Sequence, residues 1–399
     1  MPEVAEVAHV CALLKRNILG FTIKKVNLKL DTLLFPNLKD ASDPETELER
    51  MQSTLANSRI DSVGRHGKYF WIRLTNEKST NPIVLLMHFG MTGMIKIRNV
   101  KSHLVFMENG GDKKILKELS EPKRDEEIKV ESENEWPPRF SKFEMDLVKN
   151  DFKLELSFVD PRRLGRVRLI TEDLAATDEG LLQMAPLNAL GPDYSKPEML
   201  GEESEFVFGD PDPSSHGRPR LGLVEFNAVI LSKKKCIKTF LLDQAYFAGV
   251  GNWVADEVLF HARLHPNEII SNKVALETGK VHPIIQKLYN SLIYVCEEAV
   301  KCEGDSKMFP SHWLMLHRWG KARKKEGKAK TNEGFALDHI TVGGRTSCYA
   351  PEVQRLLKKE LIGETKESPS RSKRKRKYAE ESEEEPEPVR VQVEQQTRK

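Results

Sequence analysis

Met1-Pro2-Glu3-Val4-Ala5-Glu6-Val7 opens a run that continues to Gly20 and sets the reading of the N-terminal half. Val4, Val7, Ala8, Val10, Cys11, Leu13 and Leu14 lie on one broad apolar face, and Gly20 can end the segment, so the spacing predicts a helix over 3–19. Proline is a good first residue for a helix. It also has a chemical use. Once Met1 is trimmed, Pro2 carries a free secondary amine. An α-amino group titrates at roughly 7.7–8, against about 10.4 for a lysine side chain. A sizeable fraction is therefore nucleophilic near neutral pH and can form an iminium with an aldehyde or a sugar C1′ carbon. Glu3 stands beside it and can move a proton.

Strand-like segments follow the helix. Residues 21–30 alternate around Ile23, Val26 and Leu28; 58–74 carry Tyr69-Phe70-Trp71-Ile72; 82–98 carry Ile83-Val84-Leu85-Leu86 and Met94-Ile95-Lys96-Ile97; and 142–148, 152–159 and 166–170 read as further strands. Several short strands separated by turns predict a sandwich or barrel. Two charged or Gly/Pro-rich stretches, 108–138 and 201–219, read as inserts, and 176–190 as a link. From Glu225 the period becomes helical, over 225–232, 236–245, 252–263 and 282–302.

The chain has 399 residues, enough for two cored domains and a tail. Its 63 basic and 60 acidic residues nearly balance, at a net charge of +3, but they are segregated. Residues 371–377 hold six basic residues in seven and 380–387 six glutamates in eight, a composition that stays solvated. The basic block reads as a nuclear address, with a nonspecific nucleic-acid-binding tail as the other possibility. No apolar run is long enough for a membrane span, and no secretory signal is expected. Five scattered cysteines suit a reducing compartment, and without any Cys-x-x-Cys the usual four-cysteine zinc site cannot form. No metal and no cofactor are expected.

Four stretches carry candidate chemistry. Lys233-Lys234-Lys235-Cys236-Ile237-Lys238 precedes one helix and Gly249-Val250-Gly251-Asn252 the next. Basic residues and a glycine turn at two helix starts make a phosphate clamp, with Asn252 as N-cap or turned to a ligand; an ordinary helix turn with a solvated edge is the plainer possibility. In His88-Phe89-Gly90-Met91-Thr92-Gly93 the flanking glycines expose Met91 as a wedge, unless it folds back into the core. Asp160-Pro161-Arg162-Arg163-Leu164-Gly165-Arg166 sets three arginines around a turn, with Leu164 as a second wedge, or forms a salt-bridged strand end. Val342-Gly343-Gly344-Arg345 reads as a hairpin tip whose arginine can enter a groove, with basic residues upstream from Lys321 to Lys330.

Taken together and in this order, the Met-Pro-Glu start, the His-x-Gly-Met-Thr-Gly loop, Asp-Pro-Arg-Arg-x-Gly and Gly-Val-Gly-Asn before a helix ending at His265-Pro266 resemble the formamidopyrimidine-DNA glycosylase (Fpg/Nei) family over roughly 2–355, the inserts apart. The resemblance implies an α+β fold: an N-terminal helix plus β-sandwich domain (2–175), a helix–two-turn–helix DNA-binding domain (176–310), a β-hairpin finger (311–358) and a disordered charged tail (359–399). The finger resembles the zincless variant, since of the cysteines only Cys348 lies there; Tyr349 is a candidate to help hold it.

It further implies Pro2 as Schiff-base nucleophile, Glu3 as proton donor, Glu6 as a carboxylate near the site, Lys68 as the lysine of β-elimination and Arg345 as the fingertip arginine of δ-elimination. Met91, Arg162 and Leu164 would fill the gap left by a flipped base. Lys142, Arg163, Lys234, Lys238 and Asn252 would contact DNA. The implied protein is a nuclear, monomeric base-excision repair enzyme acting on damaged double-stranded DNA, with oxidised purines (8-oxoguanine, formamidopyrimidines) as substrates and no membrane partner. Leu164 stands where many members carry an aromatic wedge. A preference for oxidised pyrimidines or hydantoins therefore stays open, as does a non-catalytic binder of damaged DNA.

Overall fold

The structure is a computed structural model that describes residues 2–102, 104, 136–198, 217–277, 279–318 and 329–358. Most of both expected inserts, the basic loop from Lys321 to Lys328 and the 359–399 tail with its 371–377 block lie outside the described residues.

Helix α1 (Val4–Ile18) is apolar nearly all round, and its two faces serve two cores. Val4, Ala5 and Ala8 pack among the later helices, while Val7, Val10, Cys11, Leu13, Leu14 and Ile18 pack on the sheet. The helix is therefore a pin through both halves. Eight strands follow: β1 (Thr22–Leu28), β2 (Arg59–His66), β3 (Tyr69–Asn76), β4 (Ser79–His88), β5 (Met94–Ile97), β6 (Ser141–Lys149), β7 (Phe152–Val159) and β8 (Arg166–Ile170). They form one antiparallel sheet in the order β5-β7-β6-β1-β2-β3-β4-β8.

The sandwich is this one sheet folded on itself. β1 pairs with β6 along its length but meets β2 only at Thr22 opposite Arg59, so the two halves part there. An aromatic ladder bridges them: Phe70 of β3 lies 4.6 Å from Phe89, Phe89 lies 5.9 Å from Phe158 of β7, and Phe158 lies 5.5 Å from Phe143 of β6. Such offset or tilted ring pairs add to the burial itself.

Two helices were not expected from the sequence, α2 (Pro36–Asp40) and α3 (Pro44–Leu55). The second has clear local signals. Asp43 caps it by accepting from Glu45 N at 3.1 Å, Pro44 sits in the first turn with Glu45 and Glu47, and Met51 and Leu55 are buried. A short helix α4 (Asp178–Leu181) precedes the helical half, which consists of α5 (Leu223–Ser232), α6 (Ile237–Leu241), α7 (Asn252–Ala262) and α8 (Pro283–Lys301). α6 is shorter than the expected 236–245, because the chain turns at Leu242 to feed the glycine loop. A hairpin, β9 (Asp338–Val342) and β10 (Arg345–Tyr349), closes the described chain.

Candidate active site

Pro2 and Glu3 lie where three turns converge. Glu3 is 2 % exposed, and its carboxylate accepts from the backbone N–H groups of Trp253 and Val254, both at 3.1 Å. Glu3 thus caps α7 across 250 positions of sequence. Asn252 is the first residue of that helix, and Gly251 precedes it as N-cap. A Cβ on Gly251 would overlap the Glu3 side chain. Of the donors at this helix start, those of Trp253 and Val254 are thus taken by an internal carboxylate.

Glu6 completes a capping box with Glu3. Its Oε2 accepts from Glu3 N at 2.8 Å and its Oε1 from the Trp253 indole at 3.1 Å. Burial, and then the neighbouring Glu3 carboxylate, push Glu6 up to about 7.

Lys68 is delivered by the β2–β3 turn. Gly67 has φ +59°, and a Cβ there would fall 2.8 Å from Gly249 N, so the two glycine turns touch backbone to backbone. Asp193 secures the turn, accepting from Gly67 N at 2.9 Å and from the buried Arg65 at 2.8 Å. Lys68 Nζ donates to Val250 O at 2.9 Å. Burial lowers its pKa, with Arg345 lowering it further and Glu3 and Glu6 opposing. Gln244 holds the glycine loop from behind, accepting from Gly249 N at 3.1 Å and donating to Val250 O at 2.8 Å. Val4 N donates to Gly249 O at 3.1 Å, which ties α1 to the same loop.

The hairpin reaches this centre from the other side. Asn252 Nδ2 donates to Thr346 O at 3.0 Å, and Arg345 at the tip is exposed. Cys348 is buried among Phe260, Leu314, Leu337 and Ala350, and Tyr349 meets the His265 ring edge-on at 5.0 Å. Backbone pairing and packing hold the hairpin, with one polar anchor that the sequence reading missed. Buried Asp256 accepts from Cys348 N at 3.2 Å and from Arg318 at 2.8 Å, and forms an ion pair with Lys238.

Lys238 needs correction on the same grounds. Its side chain has no exposed surface, and its ammonium donates to Asn252 O at 2.6 Å as well as pairing with Asp256. It supports the Asn252 turn from inside and presents no charge to DNA. Lys234 is exposed on the loop between α5 and α6.

The remaining expected residues form a second group on the sheet domain. Met91 and Leu164 are both about two-fifths exposed, so neither folds back into the core. Buried Asp160 joins their loops, accepting from Thr92 Oγ1 at 2.8 Å, Arg162 N at 3.2 Å and Gly165 N at 2.7 Å. Arg162 is exposed. Arg163 has φ +55° and grips Asp31 with two 2.9 Å bonds, and Lys142 Nζ lies 3.7 Å from the same carboxylate. The anchoring acids Asp31, Asp160, Asp193 and Asp256 went unread. Asp256 carried a signal, an adjacent pair of acids, Asp256-Glu257, set between Val254-Ala255 and Val258-Leu259 in one helix.

Among the described residues no group of three or more His, Cys, Asp or Glu side chains is arranged to hold a metal ion. No described helix is long and apolar enough to cross a membrane.

Comparison with known proteins identifies the family and the fold. The family model described as formamidopyrimidine-DNA glycosylase N-terminal domain matches residues 1–167, and that for the H2TH domain of the same enzymes matches 211–311. The chain is 31% identical over 371 residues to an Arabidopsis thaliana formamidopyrimidine-DNA glycosylase, covering 93% of this chain and 75% of that protein. It is 25% identical over 359 residues to the Streptococcus pneumoniae (strain ATCC BAA-255 / R6) enzyme of that name, covering 89% and 99%. The fold is that of MutM solved with DNA containing carbocyclic 8-oxo-G (TM-score 0.57, 20% identity, 89% of this chain and 100% of that one). It is equally that of the Lactococcus lactis enzyme bound to DNA with an AP site (TM-score 0.56, 20% identity, 88% and 99%). With its N-terminal helix, folded antiparallel sheet and helical DNA-glycosylase module, the chain belongs to the formamidopyrimidine-DNA glycosylase family, bifunctional glycosylases and abasic-site lyases of base-excision repair.

Proposed function

We propose that this enzyme removes oxidised purines, 8-oxoguanine and formamidopyrimidines, from double-stranded DNA through a Schiff base on Pro2, and then cuts the strand by β,δ-elimination. The observation that supports the reading is the Glu3 carboxylate bound to the start of α7, beside the Val250 carbonyl that Lys68 binds.

After Met1 is removed, the Pro2 amine attacks C1′ and the base leaves with a proton supplied through Glu3 or Glu6. Glu6, raised to about 7, holds a proton in a sizeable fraction of molecules at neutral pH. The C1′–O4′ bond then breaks, O4′ taking a proton, and the resulting open-chain iminium acidifies the C2′ hydrogen. Lys68, its ammonium disfavoured by burial, takes that proton, and the C3′–O bond to the 3′ phosphate breaks. Arg345 assists loss of the 5′ phosphate in the second elimination. Met91, Arg162 and Leu164 fill the space of the flipped nucleotide, at a flipping cost of a few kcal/mol that damage lowers. Arg163, Lys142, Lys234 and Asn252 contact the backbone.

One observation favours a second reading. Leu164 is exposed and aliphatic, so it fills a gap without stacking on the opposite base, which suits oxidised pyrimidines or hydantoins with loose discrimination. We also assign the domains as 2–175, 176–310, 311–358 and 359–399, and the 371–377 block as a nuclear address.

Borohydride trapping on abasic-site duplex tests the core of this. The processed wild type forms a covalent adduct, and Pro2→Gly, or protein retaining Met1, loses most of it. A wild type without adduct leaves only a damaged-DNA binder. Excision rates across a lesion panel decide between oxidised purines and the second reading.

A further inference from the structure

Asp31 belongs to no catalytic group and lies in the loop between β1 and α2, yet two candidate DNA-contacting cations converge on it. Its carboxylate is 6 % exposed, whereas Arg163 is 50 % exposed. Arg163 Nε and Nη2 bind its two oxygens at 2.9 Å each, and Lys142 Nζ lies 3.7 Å from Oδ2. Leu33 N and Leu34 N also donate to Oδ1, at 3.1 and 3.2 Å, so the carboxylate is fixed by its own loop and imposes its position on the arginine. Arg163 is in the left-handed region and directly precedes Leu164, while Gly90, directly before Met91, packs on the Leu164 carbonyl. The two protruding apolar side chains and the two cations therefore share one edge, with Asp31 beneath it.

We propose that Asp31 is a positioning residue that sets how tightly this edge holds duplex of any sequence. Its carboxylate holds Arg163 with the outer guanidinium edge toward solvent, and it offsets the charge of Arg163 and Lys142. This edge then grips intact duplex weakly, and gains hold only where Met91 and Leu164 find a gap to enter. The proposal rests on the glycosylase reading for what fills that gap, while its electrostatic part stands on the ion pairs alone. Phosphate contacts act on every sequence alike, whereas the wedge acts only at a lesion. Lowering the first term weakens hold on damaged and undamaged duplex by the same factor, so intact duplex is released sooner while the ratio set by the wedge is kept.

The test uses the full chain and Asp31→Asn, whose amide oxygen still accepts from Leu33 N and Leu34 N. Affinity for undamaged duplex is measured from low to moderate salt. Freeing about one phosphate-pairing charge makes the slope of log K against log salt steeper by about 0.9 and tightens undamaged binding on the order of fivefold. Damaged duplex tightens by a similar factor, so the damaged-to-undamaged ratio is kept. Adding Arg163→Gln returns the slope to the wild-type value or below. An unchanged slope and unchanged undamaged affinity overturn the role of Asp31, because a purely structural contact does not move the salt dependence in this direction. Borohydride trapping on abasic DNA at saturating protein is run beside it. An absent wild-type adduct overturns the glycosylase reading, while a normal adduct with a flat slope overturns only the Asp31 proposal.

Discussion

Two hairpins in this chain are built alike and used differently. β2–β3 turns through Gly67-Lys68, with His66 opposite Tyr69; β9–β10 turns through Gly343-Gly344, with Val342 opposite Arg345. Each places a cation directly after a glycine of positive φ. The first turn is pressed into the Gly249 loop and pinned by Asp193, and Lys68 is depleted of water. At the second tip Gly344 has nothing within 4 Å of where a Cβ would stand, and Arg345 is exposed. The same local pattern therefore yields a desolvated amine in one case and a solvated guanidinium in the other. The first suits proton transfer and the second an anion at the rim. Burial of the turn, not its sequence, sets the difference.

The largest effects lie below the tips. Asp256→Asn leaves buried Lys238 and Arg318 without their carboxylate and leaves one acceptor oxygen for the groups that shared two. The expected loss is about 3–5 kcal/mol in urea unfolding. A loss below about 1 kcal/mol would show that packing of Cys348 alone anchors the finger. Gly67→Ala combines a left-handed backbone with a Cβ 2.8 Å from Gly249 N, and is expected to cost about 2–4 kcal/mol and to abolish trapping. Gly344→Ala has comparable backbone strain and open space, so about 1 kcal/mol is expected with trapping kept. Equal costs at the two glycines would break the contrast between the hairpins.

The cations come next. Lys68→Gln is expected to leave the initial adduct but slow strand cleavage on the order of a hundredfold, the scale of one positioned proton carrier. Arg345→Ala is expected to spare base release and the first elimination and to slow the second by about tenfold. The two are told apart by resolving the two cleavage products on a denaturing gel. If Lys68→Gln alters only the second product, the assignments are reversed.

What could be read in the chain divides along the same line. The strands, the main helices and the Gly343-Gly344 tip were legible because periodicity and turn chemistry are local. Pro2, Glu3, Lys68 and Arg345 were named from short motifs; the fold brings Glu3 and Lys68 to one glycine loop and bonds Thr346, next to Arg345, to Asn252. Glu3 as the cap of α7 was not legible, since cap and helix are 250 positions apart and Gly251 reads as a flexible turn until the carboxylate it accommodates is seen. Lys238 misled for the complementary reason. It sits in a basic run with exposed Lys234, and only the packing of α6 on α7 buries it against Asp256. Helix α3 was locally signalled by Asp43-Pro44 and the acids after it, and was passed over among the strands.

The smallest expected effect concerns pH, and it sharpens the comparison by asking what surrounds Lys68. Glu6 titrates near 7 in the folded protein against an ordinary value of 4.5, so the folded state holds its proton over that window and the unfolded state does not. Stability from this group is therefore fully present below about 4.5 and is lost as pH rises through 7, by at most about 3 kcal/mol. His66 and His88 are pushed down to about 4, chiefly by burial, and act in the opposite sense: the folded state refuses a proton that the unfolded state accepts, so stability is lost as pH falls from 6.5 toward 4. In wild type the opposing slopes partly offset one another between about 4.5 and 6.5. Glu6→Gln removes the falling limb, so urea midpoints should rise more steeply over pH 4.5–6.5 and no longer decline toward 7. The same variant removes a negative charge that raises the Lys68 pKa, while Arg345→Ala removes a positive charge that lowers it. The alkaline rise in strand-cleavage rate should thus shift to lower pH in the first variant and to higher pH in the second. No shift in Arg345→Ala would mean that the exposed hairpin tip does not reach the field of the buried one.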